Sequence, residues 1–293
     1  EIQTSQVQPI EPVFVDYKKD MSQFEAQPGI DVLYKKNETN DIFTLIYVFN
    51  TGTENDPALN LAFNYLSYLG TDKMTAEEIA SEMYDIACSF YMNAGANQSS
   101  IQITGLSENM GKAMEIVEGL IAGAKPDEAI LENLKGDMLK SRADAKLNQS
   151  RCFGALQRYL FYGGDFIRRT TLTDPALQAL TSEQLLAKIG GLMGKQHEVL
   201  YYGPQKEAEV KSALAEHHKV AADLQPLEKK FSTLLPTDAN KVVLAQYDAK
   251  QLYYLQFSNR GEKFDVAADP EITLYNEYFG GGMNTIVFQE MRE

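Results

Sequence analysis

The chain has 293 residues, enough for one large domain or two of ordinary size, with a hydrophobic core that needs no disulfide or metal staple. Hydrophobic residues make up 44% and charged residues 23%, a mixture typical of globular proteins. The net charge of -14 argues against a nucleic-acid partner, because binding phosphates requires a basic face. No apolar run approaches the roughly 20 residues that a membrane-spanning helix needs, so the sequence predicts no transmembrane segment.

The first part of the chain predicts strands and helices in separate groups. Residues 1–27 carry scattered Pro and Gln with weak periodicity, and we expect a linker or arm there. Strands are predicted at 32–34, 41–49, 90–94 and 100–106, and helices at 57–69, from 75, and at 107–124, 127–147, 150–162 and 174–189. The helix from residue 75 opens with a capping box formed by Thr75 and Glu78.

A second round of the same kind of elements follows the glycine pair at 190–191. It comprises a strand at 197–202, a helix at 204–218, strands at 241–247 and 251–258, and helices at 269–278 and 284–292. The last pattern ends without a turn or cap, so we expect a weak internal repeat that is truncated. The segregated elements predict an α+β fold, an antiparallel sheet covered by helices, with a full lobe at 28–192 and a partial second lobe at 193–293.

Cysteine and histidine offer few chemical candidates. Cys88 and Cys152 have no CxxC spacing and are interpreted as free thiols, with a disulfide left open because the sequence does not give their distance. His217 and His218 are adjacent on a predicted helix, about 100° apart, so one metal ion rarely takes both. His197 opens a strand, and we interpret all three as structural histidines. No nucleophile elbow or phosphate-binding glycine motif is present, and Gly280–Gly282 is interpreted as a tight turn.

Two segments resemble the insulinase/pitrilysin family of zinc metallopeptidases. They are NLAFNYLSYLGT at 60–71 and YFGGGMNTIVFQEMRE at 278–293, and the likeness extends from about Ile30 to the end of the chain. Active members of this family carry H-x-x-E-H on the first of these helices, where two histidines bind zinc and the glutamate is the general base.

The motif positions, aligned backward from the Gly-Thr pair at 70–71, are occupied by Leu61, Ala62, Phe63, Asn64 and Tyr65. Leucine cannot bind a metal, and the amide of Asn64 cannot take a proton from water near neutral pH. We therefore expect no zinc and no catalysis from this helix, whose apolar face is interpreted as core.

The resemblance implies a non-catalytic half that forms part of a peptide-binding chamber. Zinc is then expected in a partner half that carries H-x-x-E-H, either in the same polypeptide or in a separate subunit, and this chain alone is predicted to be inactive. Arg292 matches an arginine that contacts substrate in the family's second half, and a guanidinium can donate to a peptide carbonyl. The alternative for Arg292 is a solvent-facing arginine. The resemblance also implies that edge strands near the chamber, here at the hairpin of residues 93–100, can pair with an extended substrate; the alternative is an ordinary β-hairpin.

A second interpretation belongs to another class of function. Some relatives in the family have lost activity, so the chain is also compatible with a catalytically dead scaffold or assembly subunit. The resemblance also suggests a bacterial periplasmic or envelope location, while the substrate and the state of assembly stay open.

Overall fold

The computed structural model describes residues 11–12, 14–227, 232–259, 261 and 263–292. It divides into two compact units, one up to Thr233 and one from Leu234. The first unit is built on a mixed sheet of six strands in the order β1-β2-β6-β3-β5-β4. The strands are β1 (Ser22–Gln27), β2 (Ile30–Lys36), β3 (Ile42–Phe49), β4 (Cys88–Ala94), β5 (Ser99–Leu106) and β6 (His197–Gly203).

The helices of the first unit follow the predicted order with adjusted ends. They are α1 (Tyr17–Asp20), α2 (Leu59–Leu66), α3 (Ala76–Asp85), α4 (Met110–Gly123), α5 (Glu128–Lys146), α6 (Gln149–Thr170), α7 (Asp174–Ala179), α8 (Ser182–Met193) and α9 (Glu207–His217). The capping box of Thr75 and Glu78 at the start of α3 is confirmed. The single helix expected at 174–189 is two helices, because Thr181 and Gln184 form a second capping box that starts α8. The pattern at 150–162 continues to Thr170 across a kink at Gly163, where φ is 81°.

The core lies on one face of the sheet. Strand β3 alternates between buried and partly exposed residues along its length, as expected for a sheet that is covered on one side. Its buried residues Phe43, Leu45, Tyr47 and Phe49 pack in one cluster with apolar residues of α2, α4 and α8. The α+β class with a sheet covered by helices is therefore confirmed, but the sheet is not purely antiparallel, since β2 and β6 pair in parallel.

The structure places the boundary between units later than the sequence predicted. Strand β6, which was assigned to a second lobe at 193–293, pairs with both β2 and β3 in the middle of the first sheet. The predicted lobe at 28–192 is therefore incomplete without it. Strand β1 lies within the predicted arm at 1–27 and pairs with β2, while residues 1–10 of that arm lie outside the described residues. Local patterns do not specify the neighbours of a strand, which explains the different place of β6, and the weak periodicity of residues 22–27 explains why β1 was not predicted.

The second unit contains the helices α10 (Asp269–Gly280) and α11 (Ile286–Arg292). The strands predicted at 241–247 and 251–258 do not form, since no β-ladder is present among these residues. A strand requires a paired neighbour as well as β-branched and aromatic residues, and the apolar side chains of Val242, Leu244 and Leu252 are exposed here. Asn259 ties the start of the unit together through hydrogen bonds with Thr237 and with the carbonyl groups of Leu234 and Leu235.

Both cysteines are free thiols in the structure. Cys88 opens β4 and is buried, and burial raises the pKa of its thiol. Cys152 lies half-buried in the first turn of α6. No helix in the described part of the chain is long and apolar enough to cross a bilayer.

Candidate functional site

Helix α2 carries the positions that the family resemblance aligns with the zinc motif, and most of them face the core. Leu61 is 2% exposed and Tyr65 is 0% exposed, while Ala62 and Phe63 are also buried. Asn64 points to solvent on the opposite side of the helix. The positions that the resemblance aligns with the two histidines therefore hold core side chains, and the position aligned with the glutamate holds an exposed amide.

Tyr65 is a hydrogen-bonding centre between three elements. Its hydroxyl donates to Ser182 Oγ over 2.7 Å at the start of α8. The same oxygen accepts from the backbone N–H of Asp127 over 2.7 Å, and it lies 3.1 Å from the Asp127 carbonyl oxygen. Asp127 is the N-cap of α5, where its carboxylate accepts from two backbone N–H groups. The space at this end of α2 is thus filled by a structural hydrogen-bond network.

The described residues contain no group of three or more His, Cys, Asp and Glu side chains arranged to hold a metal ion. Two histidines that lie 21 positions apart in the chain nevertheless meet in the fold. His197 and His218 are buried, and their Nε2 atoms lie 2.9 Å from each other. This separation is a hydrogen bond and leaves no room for a metal between the rings.

A buried glutamate completes this cluster, which no sequence motif indicated. Glu118 of α4 accepts from the Tyr47 hydroxyl over 2.9 Å and from the backbone N–H of Lys219 over 3.0 Å, and its Oε1 lies 2.5 Å from His218 Nδ1. Burial and the adjacent Glu118 carboxylate raise the pKa of Tyr47 well above its usual range. Burial also lowers the pKa of His197 to about 4. Tyr47 and Glu118 are 71 positions apart in the chain, Glu118 and His218 are 100 apart, and His197 and His218 are 21 apart. Only the fold brings the four residues together.

The cluster is too deeply buried to contact a substrate. Tyr47, His197 and His218 are at most 5% exposed. We therefore interpret the cluster as a structural part of the first unit, because a reactant has no route to its side chains.

Arg292, the candidate substrate contact, is the last residue of α11 in the second unit. Its side chain lies outside the described part of the structure, and its role stays a prediction.

One side of the edge strand β4 pairs with no other strand in the described part of the chain. Strand β4 is the last strand of the sheet, and it joins β5 through the hairpin that contains residues 95–98. Leu106 N–H donates to the Ala87 carbonyl and Gly95 N–H donates to the Gln98 carbonyl, so odd-numbered residues of β4 bond to β5. Phe90 and Met92 consequently direct their N–H and C=O groups away from the sheet. This edge could add one extended peptide.

The second face of the sheet is only partly buried. The strand registers place Leu33, Leu200, Ile46, Gln102 and Tyr91 in one row across β2, β6, β3, β5 and β4. The first four are half-buried, and Tyr91 is 64% exposed. The row is aliphatic at its centre and becomes polar and aromatic toward the β4 edge. Such a surface can contact both apolar and polar side chains of a peptide.

Comparisons with known proteins identify the fold. No protein-family model matches the chain, and no curated protein matches it by sequence. Among solved structures, the periplasmic protease PqqL from Escherichia coli is similar with a TM-score of 0.61 and 14% identity over 80% of this chain and 28% of that one. A peptidase M16 inactive domain from Pseudomonas fluorescens gives a TM-score of 0.60 and 18% identity over 71% of this chain and 52% of that one.

A protease from Helicobacter pylori is similar over a larger share of the chain, with a TM-score of 0.65 and 12% identity over 92% of this chain and 68% of that one. The chain thus spans 28% of the length of the E. coli protease and 52% of the P. fluorescens domain. It has the fold of M16-like peptidases, which confirms at the level of fold the resemblance to insulinase and pitrilysin.

Proposed function

We propose that this chain is the non-catalytic half of a zinc-dependent peptidase of the insulinase/pitrilysin family. The observation that carries the proposal is the state of α2, which keeps the helix of the zinc motif while Leu61 and Tyr65 are core residues. A fold retained without its catalytic side chains fits a half whose role is to enclose and position a peptide. Zinc and the general base then belong to a partner half with H-x-x-E-H.

The peptide would contact the β4 edge and the partly buried sheet face beside it. Backbone hydrogen bonds from Phe90 and Met92 would hold an extended peptide in a way that does not depend on its sequence. The row of Leu33, Leu200 and Ile46 would contact its apolar side chains. Arg292 stays a candidate for a carbonyl contact.

The first test is cleavage of a quenched peptide library by the chain alone and in a mixture with the H-x-x-E-H half from the same or a neighbouring gene. We expect no cleavage by the chain alone, and cleavage in the mixture that a zinc chelator abolishes. Chelator-sensitive cleavage by the chain alone would contradict the proposal.

A matched pair of variants tests the β4 edge in the same mixture. Met92→Pro removes the outward N–H at a position where an edge strand tolerates proline. Met92→Ala shortens the same side chain and keeps the N–H. We expect Met92→Pro to raise KM severalfold relative to Met92→Ala with little change in unfolding, whereas equal KM values would remove β4 from the peptide-binding surface.

The alternative is a scaffold or assembly subunit that acts with no peptidase. The absence of catalytic side chains on α2 favours it as much as it favours the chamber half. Stable binding to the H-x-x-E-H half, without any effect on peptide cleavage, would support this alternative.

A further inference from the structure

The buried cluster of Tyr47, Glu118, His197 and His218 has no part in the proposed peptide contacts. Tyr47 lies on β3, Glu118 on α4 and His197 on β6, while His218 is the C-cap of α9. The cluster is therefore located where the chain leaves α9 and continues toward the second unit.

The hydrogen bonds of the cluster fix the positions of its protons. His197 Nδ1 lies 2.8 Å from the Lys195 carbonyl oxygen, which can only accept, so Nδ1 carries a proton. The Nε2 atom of the neutral His197 ring is then an acceptor, and His218 Nε2 must donate to it across 2.9 Å. One proton lies between His218 Nδ1 and Glu118 Oε1. Every nitrogen is used in this arrangement, and there is no place for a further proton.

The groups that face the imidazole rings of His197 and His218 come from α4 and β3. His218 contacts Glu118 and the Tyr47 ring, whose centroid is 4.2 Å away. His197 contacts His218 and the Phe49 ring at 4.7 Å, with Tyr47 at 6.1 Å. Glu118 carries the acidic charge nearest to the rings and is already bonded to Tyr47, His218 and Lys219. A proton added to His197 Nε2 would place N–H against N–H and add a positive charge to a buried site.

Next to this cluster, residues 218–227 are attached to α4 and to the segment that leads into β6. Lys219 N–H donates to Glu118, and Gln225 N–H donates to the Gly194 carbonyl over 3.0 Å. The Gln225 carbonyl accepts from Gln196 N–H over 2.8 Å, one residue before His197. Loss of the His197–His218 bond would thus loosen these two hydrogen-bonded attachments.

We propose that Glu118, His197 and His218 form an acid-sensitive latch, which holds residues 218–227 against α4 and the segment that leads into β6 at neutral pH and releases them on acidification. The latched state keeps His197 unprotonated down to a pKa of about 4, because burial dominates, with His218 acting in the same direction and the Lys195 carbonyl and Glu118 opposing. A released histidine has its ordinary pKa of about 6.5. The released state therefore binds more protons between these two values, and the latch weakens as pH falls from about 6.5 to about 4.

Amide hydrogen exchange of the full chain at about pH 7 and about pH 5, corrected for the intrinsic chemical rate, tests the latch. The two pKa values predict that opening of residues 218–227 becomes about twentyfold more favourable at the lower pH. The amides of α3 are expected to keep their protection. Unchanged exchange of 218–227, or an equal loss of protection in α3 that indicates global unfolding, would overturn the proposal.

Two single-histidine variants separate the latch from a general effect of acid. His197→Gln removes the titrating ring while its amide oxygen can accept from His218 Nε2–H, and we expect the pH response of 218–227 to disappear. His217→Gln removes a histidine whose Nδ1 lies 3.4 Å from Glu115, outside the cluster, and should keep the response. A response that survives His197→Gln would contradict the assignment.

The wild-type chain provides a measurement that holds if His197→Gln does not fold. Nitrogen chemical shifts of the imidazole rings report tautomer and charge directly. We expect His197 to be the neutral Nδ1–H tautomer at about pH 6, below the ordinary histidine pKa. A His197 ring that titrates near 6.5, or that carries its proton on Nε2, would rule out the latch.

Discussion

The buried side chain of Tyr65 makes structural contacts at a position that the family resemblance aligns with a metal-binding histidine. Its ring is fully buried, and its hydroxyl accepts from Asp127 N–H and donates to Ser182 Oγ. The aromatic ring belongs to the core of the first unit, while the hydroxyl fixes the starts of α5 and α8. Tyr65 thus connects α2 to the starts of two other helices and stabilises the first unit.

Tyr65→Phe is expected to destabilise the first unit by about 1–3 kcal/mol, because the Asp127 N–H loses a partner inside the protein. Urea unfolding followed by circular dichroism measures this change. Tyr68→Phe, at a residue that is 53% exposed, is the matched control and should change stability by less than about 0.5 kcal/mol. Equal effects of the two variants would show that the Tyr65 hydroxyl is not a structural centre.

At the scale of elements, the loop after β3 is fixed against the β4–β5 hairpin. Thr53 N–H donates to the Gly95 carbonyl and Glu54 N–H donates to the Ala96 carbonyl, over 2.8 and 2.9 Å. This close approach is possible because Gly52 has no side chain, and a Cβ there would overlap the Gly95 and Ala96 backbone. The contact holds the hairpin next to the proposed peptide-binding edge.

Gly52→Ala should destabilise the protein by about 1–3 kcal/mol, since the backbone of two segments must shift to admit a methyl group. Thermal unfolding is a suitable measurement. Gly136→Ala in α5 is the control, because a Cβ at Gly136 has nothing within 4 Å and alanine favours a helix. The control is expected to raise stability by up to about 1 kcal/mol, and a neutral Gly52→Ala would mean that the loop and hairpin are not in close contact.

For the whole molecule, the position of β6 decides what folds as a unit. Strand β6 pairs along its whole length with β2 and over five residues with β3, and without it the sheet would be divided into two parts. The first unit continues to Thr233, well beyond the boundary at 192 that the sequence suggested.

Two truncated chains test this boundary. Residues 1–233 keep all six strands and are expected to fold with a cooperative urea transition. Residues 1–192 lack β6, so Phe43, Leu45 and their neighbours lose part of their cover, and we expect an aggregated or unfolded product. A cooperative transition of the shorter chain, measured by circular dichroism, would restore the predicted boundary.

The sequence by itself determined the local features of this protein. The alternation in 42–49, the capping box at Thr75 and Glu78, and the helical spacing in 107–124 depend on neighbouring residues, and the structure contains all three elements. The sequence also showed that positions 61, 64 and 65 hold neither histidine nor glutamate, because side-chain chemistry is a property of the residue itself.

The tertiary structure alone decided the remaining features. Parallel pairing of β2 with β6, the approach of Gly52 to the hairpin, and the meeting of Glu118 with His197 and His218 all join residues that are far apart in the chain. The strands expected at 241–258 looked no different in pattern from β6, yet only β6 has a ladder in the described structure. Local patterns give propensity, whereas a ladder or a buried hydrogen bond requires a partner that only the folded chain supplies.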